Sequence, residues 1–454
     1  MRRVASGFAA ITLVLTACAG GEEVARPTYT LIPSTTTTTT TVVLPSTTLQ
    51  EQVEWVIDRL IKANDVGIDE VEARFAAEFL EEITAEQLIA STRALNDDVL
   101  EWRTLQVAQT DQTKATALIE ADEVPLNLTL NIDEAGQITF LLFQPAAAPR
   151  GSIDEVLADM EATGDASLLV AEVRDDRTCS IIFRHDVDRA NPIASDFKLY
   201  VLAALATAIE DGTVSWNDPL RIDRSLQSLP TGTFQELTAG TVKTVREHAD
   251  AMISMSDNTA TDHLIALLGR DAVAAAMIEL GHSDPALNIP FLSTLEMFKL
   301  KLALSDEDLA TYLDYNPRQR AVYLDTELDG VVIAPEAVAA WTTAHRIDTL
   351  EWYATPGDLC LAIAALTETS STAVRLPLRD ILSMNPGIPQ DPDTWPYVAF
   401  KGGGEPGVLS LAWYAEREDG RAFVVIANIT SNRPIPDLMA SNAAAVFTLL
   451  KNYD

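Results

Sequence analysis

Strand patterns occur near both ends of the last 300 or so residues, at Ser180–Arg184 and Phe423–Ile429, and Ala-rich stretches of helical composition fill the space between. An isolated strand has no stability in water. Strands from the two ends must therefore meet in one sheet on which the helical middle packs, so the segment from 149 to 454 reads as one domain of α+β or α/β class. Apolar residues make up 47% of the chain, enough side chain to build such a core.

At about 150 residues per domain, 454 residues allow about three segments. Val53, Val56, Ile57, Leu60 and Ile61 recur at helical spacing, and a second helical stretch spans Thr84 to Asn96, with Thr84 and Gln87 at capping-box spacing. From Leu126 the period becomes two. Leu126, Leu128, Leu130 and Ile132 alternate with polar residues, Asp133 to Gly136 turn the chain, and Ile138, Phe140 and Leu142 alternate again. Helices followed by antiparallel strands predict a small α+β domain over 51–148. It resembles the cone-shaped nuclear transport factor two-like domains that precede some exported serine hydrolases. It holds no catalytic constellation and is expected to act as a packing or spacer unit. Pro145, Ala146, Ala147, Ala148 and Pro149 mark its boundary.

Arg2 and Arg3 precede an apolar run from Gly7 to Ala17, the pattern of a secretory signal and too short to span a bilayer stably. The run ends in Leu15, Thr16, Ala17 and Cys18, which resembles a bacterial lipobox. That resemblance implies diacylation of Cys18 after cleavage, and so a protein tethered to the outer face of the bacterial cell membrane. Residues 1–18 are then the signal and lipobox. Residues 19–50, with Thr35 to Thr41 as seven consecutive threonines and with Pro27, Pro33 and Pro45, read as a flexible stalk. Asp and Glu (67) outnumber Lys and Arg (32), and the resulting formal charge of −35 repels phosphate and excludes a general nucleic-acid binder.

Besides Cys18, the cysteines are Cys179 and Cys360, with no CxxC or His-rich company. Both read as buried structural residues. Export permits a disulfide between them, but spacing alone does not establish one. No metal site and no cofactor are indicated.

Ser195, Asp196, Phe197 and Lys198 open an apolar helix running through Tyr200, Val201, Leu202 and Leu205. At spacing i, i+3 the lysine reaches the serine oxygen. A hydroxyl becomes an effective nucleophile when a neighbour takes its proton, and desolvation lowers a lysine pKa to suit that task. The start of a helix also offers free N–H groups to a developing anion. Ser256, Asp257 and Asn258 follow, with Ser256 61 residues after Ser195. A third element, Lys401, Gly402, Gly403 and Gly404, precedes a strand pattern from Val408 to Tyr414.

Over 176–454 these three motifs resemble, in order, the SxxK, SDN and KTG elements of class A β-lactamases and penicillin-binding proteins. Gly269 to Val273 and Thr355 to Leu359 are also similar. The resemblance implies an antiparallel sheet flanked by helices plus an all-helical subdomain. It implies Ser195 as nucleophile, Lys198 as its base, and Ser256 as proton relay to the leaving group with the help of Lys401. Asn258 would bind a substrate amide, and Asp257 would be structural. The backbone N–H groups of Ser195 and Gly404 would form an oxyanion hole, with Gly402, Gly403 and Gly404 lining the substrate. The substrate would be a small-molecule β-lactam, or an ester or peptide carbonyl.

Gly402 stands where that family usually has Thr or Ser, removing a hydroxyl that would help bind a β-lactam carboxylate. No ExxLN motif follows Ser256. Glu296 is the nearest candidate for its glutamate, although its pattern is that of a surface helix. The 145 residues from Ser256 to Lys401 exceed the class A spacing, and the excess falls between Lys299 and Thr349, where an added segment would reshape the mouth of the cleft. The expected activity is serine acyl transfer and hydrolysis. Two alternatives stand beside it: a penicillin-binding or D-alanyl carboxypeptidase-like protein with slow deacylation, or a non-catalytic envelope binding protein. His248 and His263 flank the SDN segment and read as packing residues.

Overall fold

The structure, a computed structural model, describes residues 47–453 apart from 64, 97–98, 100, 110–112, 122–123, 134, 146–149, 230, 369–374, 388–393 and 437. The signal, the lipobox with Cys18, nearly all of the stalk and most of the Pro145 to Pro149 boundary lie outside the described residues. The chain forms two compact units, 1–149 and 150–454.

The first unit packs helices Thr47–Trp55, Ile68–Arg74, Ala77–Glu82 and Ala85–Asn96, with wide π-type turns over Val56–Ala63, against four antiparallel strands: β1 (Trp102–Gln109), β2 (Lys114–Ala121), β3 (Val124–Ile132) and β4 (Ile138–Pro145), in that order across the sheet. The alternation expected in β3 is seen. Leu128, Leu130 and Ile132 are buried against Val53, Val56, Leu60 and Ile61, while Asn127, Thr129 and Asn131 are half-exposed. Thr84 and Gln87 form the expected reciprocal cap, at 3.0 and 3.3 Å. Strands β1 and β2 were not legible in the apolar pattern.

The second unit is built on a five-stranded sheet. Its strands are β5 (Asp165–Val173), β6 (Cys179–His185), β7 (Tyr397–Glu405), β8 (Val408–Glu416) and β9 (Ala422–Thr430), ordered β7-β8-β9-β5-β6 and antiparallel at every junction. Strands from the two ends of the unit meet at the β9–β5 junction, as the pattern requires. One sheet face packs Trp413, Phe423 and Val425 against Val156 and Met160 of helix Ile153–Thr163 and Phe447 near the C-terminus. The opposite face carries Ala399, Ala412, Val424 and Ile426 against helices Lys198–Glu210 and Pro356–Leu366. Helix Lys198–Glu210 is apolar nearly all round because it is enclosed by helix Pro356–Leu366, which lies on the sheet, and by a further helical layer. That layer comprises Val245–Ser254, Asn258–Leu268, Arg270–Glu279 and Thr294–Leu302.

The stretch between Lys299 and Thr349 adds helices Asp306–Asp314, Pro317–Thr326 and Pro335–Ala340, the first two capped by Ser305 and Asn316. The Arg346 guanidinium ties the stretch down by donating to the carbonyls of Leu300, Lys301 and Leu304 at 2.9–3.2 Å, groups that the end of helix Thr294–Leu302 leaves without partners. Beyond it, Ala344 and Ile347 pack on Ala194 and Val408. The extra segment therefore ends beside the residue that precedes Ser195.

Cys179 and Cys360 form a disulfide across 181 residues of sequence, joining edge strand β6 to helix Pro356–Leu366. Cys360 is fully buried and Cys179 half-buried. Closing so long a loop removes much of the freedom of the unfolded chain. Replacing both cysteines with Ser is expected to lower stability by about 2–4 kcal/mol while preserving the fold. Calorimetry of the oxidised, reduced and substituted proteins checks this, and coincident melting temperatures would show that the bridge constrains nothing.

Candidate active site

The chain turns sharply into the helix that bears Ser195. Ala194 has φ 42°, in the left-handed region that a Cβ disfavours, and Ala194–Phe197 forms a single 3-10 turn that runs into helix Lys198–Glu210. The turn is pinned by Phe197, which stacks on Trp352 with ring centroids 3.9 Å apart, and by the Ile193 N–H, which donates to the Trp352 carbonyl at 2.9 Å. Gly403 of β7 lies directly against it. A Cβ at Gly403 would stand 2.3 Å from the Ile193 carbonyl oxygen and 2.6 Å from the Ser195 nitrogen, so only glycine lets strand and helix approach this closely. Gly403 is thus buried against protein backbone, whereas Gly404 is exposed and Gly402 half-exposed. All three lie within β7, and the turn to β8 comes later, at Pro406 and Gly407.

The SDN segment folds as the link between helices Val245–Ser254 and Asn258–Leu268. Asp257 caps the second helix by accepting from Ala260 N at 2.8 Å, and its other oxygen accepts from Thr233 N at 2.7 Å and Phe234 N at 2.8 Å. Gly232, φ 97°, makes room for that carboxylate, because a Cβ there would lie 2.0 Å from the Asp257 oxygen. Asp257 is thus the structural residue of the motif. Ser256 is held at φ 57° and presents a half-exposed side chain.

Lys198 connects the motifs. Its side chain is fully buried, with Nζ 3.1 Å from Ser195 Oγ, 3.0 Å from Ser256 Oγ, 2.6 Å from the Ser256 carbonyl and 2.7 Å from Asn258 Oδ1. The Asn258 amide is oriented by donating Nδ2–H to the Leu229 carbonyl at 2.6 Å, which leaves its oxygen toward the lysine. The Ser256 carbonyl and Asn258 Oδ1 are both pure acceptors and require two N–H groups. A neutral amine supplies those two and keeps a lone pair for a serine hydroxyl. Burial, reinforced by the nearby Lys401 charge, drives the Lys198 pKa well below the ordinary lysine range, which favours that neutral form.

Lys401 comes from β7, is almost fully buried, and reaches Ser256 Oγ at 3.0 Å and the Gly402 carbonyl. Burial lowers its pKa to about 8, while Asp196 opposes the fall. Ser195, Lys198, Ser256, Asn258 and Lys401 thus converge from one helix start, one interhelical turn and one strand, with both serines half-exposed. Glu296 does not join them. Its carboxylate takes a two-point ion pair from Arg270, at 2.7 and 3.2 Å, and closes a capping box on Ser293 N at 2.8 Å. His248 and His263 are buried, and each Nδ1 bonds the carbonyl four residues earlier, at 2.9 and 2.7 Å. Thr231, which donates to the Ser256 carbonyl at 2.7 Å, and the Leu229 carbonyl support the site without any motif to announce them.

Asp257→Ala would orphan two buried N–H groups, of Phe234 and Ala260, and the part-buried one of Thr233, and is expected to cost at least about 2 kcal/mol. Chemical denaturation checks this, and a loss within error of zero would remove the structural role of Asp257.

Residues 149–445 match the model of the β-lactamase enzyme family, and residues 44–138 match the model described as ORF 12 gene product N-terminal. No curated protein matches the chain. Similar solved structures include a β-lactamase from Sphaerobacter thermophilus, 21% identical over 65% of this chain and 96% of its own, with a TM-score of 0.47. PBP-A is 18% identical over 68% and 98%, with a TM-score of 0.44. An ancestral class A β-lactamase, GNCA, is 19% identical over 66% and 100%, with a TM-score of 0.46. With a family model spanning 149–445, well over half of its length, the chain belongs to the β-lactamase enzyme family and is a β-lactamase-like serine hydrolase.

Proposed function

We propose that Ser195 is acylated by a β-lactam, ester or peptide carbonyl and that water then releases the acyl group. The observation that carries this reading is the buried Lys198 amine within 3.1 Å of Ser195 Oγ and 3.0 Å of Ser256 Oγ. Ser195 Oγ attacks the carbonyl carbon as its proton passes to Lys198. The lysine returns a proton to Ser256 Oγ while the Ser256 hydroxyl gives its own to the departing nitrogen or oxygen. Lys401, as an ammonium, holds Ser256 in place. Water then breaks the acyl ester and restores the Ser195 hydroxyl. The backbone N–H groups of Ser195 and Gly404 receive the carbonyl oxygen, Asn258 orients a substrate amide, and Gly402 and Gly404 leave room for the ligand.

A second reading, a long-lived acyl-enzyme of the penicillin-binding or D-alanyl carboxypeptidase type, is favoured by Glu296. Its carboxylate is committed to Arg270 and Ser293 N and so is not available to activate water. Among places in the cell, we propose the outer face of the bacterial cell membrane. The support is the sequence Leu15, Thr16, Ala17, Cys18 after a short apolar run, with Cys18 lipidated and the stalk carrying the two folded units.

Intact mass of the purified protein mixed with a penicillin or an activated ester, with released product followed in the same sample, tests the chemistry. Ser195→Ala should abolish both adduct and product, and retained turnover would overturn the nucleophile assignment. Lys198→Ala should slow acylation by at least about a hundredfold, as expected for a lost general base. The pH profile should be bell-shaped. Lys198 acts as the neutral amine, so the rate falls as pH drops through its depressed pKa. Lys401 acts as the ammonium, so the rate falls again as pH rises past about 8. Cys18→Ser should move the protein from the membrane to the soluble fraction, and unchanged membrane retention would refute lipidation at that residue.

A further inference from the structure

Asp196 takes no part in the proton path from Ser195 to Ser256, yet it lies beneath it. Its side chain is fully buried. Oδ2 accepts from the Ser410 hydroxyl at 2.5 Å, and that hydroxyl in turn accepts from Asn428 Nδ2 at 2.7 Å. Oδ1 has no hydrogen-bond partner among the described groups. The two other buried aspartates near the site are held differently. Asp257 accepts from three backbone N–H groups and Asp262 from two, Thr294 N at 2.7 Å and Leu295 N at 2.9 Å. Asp196 alone lacks the donors that would stabilise an isolated anion.

The register of the sheet supplies the missing partner. Ser410 lies opposite Gly403, and Ala412 lies opposite Lys401. Lys401 and Gly403 share one strand face two residues apart, a separation of about 7 Å. A Gly403 Cβ would stand 3.0 Å from the Asp196 backbone nitrogen, so the close approach of β7 to this turn places Asp196 beside the strand face that carries Lys401. The nearest lysine on that face is Lys401, whose fixed hydrogen-bond partners are the uncharged Ser256 Oγ and the Gly402 carbonyl.

We propose that Asp196 is a positioning residue that keeps Lys401 charged beneath Ser256, acting within the buried layer between β7 and the Ser195 turn. The inference rests on the role given above to Lys401. Burial raises the Asp196 pKa to about 8 and lowers that of Lys401 to about 8, and the charge of each opposes the shift of the other. The remaining titratable groups around the pair are Lys198, Asp257, Asp262 and the Tyr200 phenol, whose own rise owes part to Asp196. The consequence extends to the nucleophile. A charged Lys401 is one of the causes that lower Lys198, so Asp196, by keeping Lys401 protonated, helps keep the Lys198 amine neutral.

The test is a pH titration of the full protein labelled with 13Cε-lysine, read by NMR, with the Lys401 signal assigned from its loss in Lys401→Arg. In Asp196→Asn the Lys401 midpoint is expected to fall by about one pH unit or more, as for a lysine deprived of its one opposite charge. The alkaline limb of Ser195 acylation should move down with it. A Lys401 midpoint that coincides with the wild type would overturn the proposal. Should Asp196→Asn fail to fold, Asp196→Ser, which keeps a hydroxyl near Ser410, is read against the same two outcomes. The two ideas fail separately. A midpoint that moves in a protein forming no Ser195 adduct preserves the coupling and sinks the acyl-transfer reading, whereas adducts with an unmoved midpoint do the reverse.

Discussion

Taking an ammonium group out of water costs several kcal/mol unless its charge is paired or given up; among the buried lysines of the described residues Lys301 is paired with Glu351 and Glu405, whereas Lys198 and Lys401 lie side by side around Ser256 with no salt bridge. The surrounding architecture answers that cost. Lys198 is surrounded by four oxygens from three residues and sits at the head of a helix apolar enough to be enclosed on all sides. Lys401 enters from the adjacent strand and shares the Ser256 hydroxyl with it. Like charges this close cannot both be carried comfortably. The proposed mechanism uses this asymmetry, with Lys198 as the neutral amine and Lys401 as the ammonium.

The contact that sets this geometry is the close packing of β7 on the turn that carries Ser195 into helix Lys198–Glu210. Gly403 permits it, and Phe197 stacked on Trp352 fixes the turn from the other side. The strained φ values of Ala194 and Ser256 are part of the same assembly. Both serines are held on backbone that would relax elsewhere, and both are over-determined by neighbours: Ala194 by Ile347 and Val408, Ser256 by Thr231 on its carbonyl and Asn258 beside it.

The segment between Lys299 and Thr349 changes the site without supplying a reacting group. Its last residues, Ala344 and Ile347, form part of the wall behind Ala194, and Arg346 anchors them by replacing the hydrogen bonds missing at a helix end. Together with Gly402, where the family usually carries a hydroxyl, this gives a cleft built to the family's plan at its centre and altered at its edge.

Much of this was legible in the sequence, and for identifiable reasons. SxxK works through neighbours one helical turn apart, so local spacing determines that Lys198 reaches Ser195. A long period-two run determines β3, because one face is buried and the other is not, while short runs rich in apolar residues mark β8 and β9, which are buried on both faces. The Thr84 and Gln87 cap was equally local. What only tertiary structure decided involves residues far apart in the chain. The Cys179–Cys360 bridge spans 181 residues, the Glu296 carboxylate is claimed by Arg270 from another helix, and Asp196 meets Ser410 across 214 positions. Within its motif Asp196 looks like a spacer between two functional residues. Only the register of β7 against β8, with Gly403 packed on the Ser195 turn, sets that aspartate against Ser410 on the strand face of Lys401, because burial and charge pairing are properties of the packed chain and leave no local pattern.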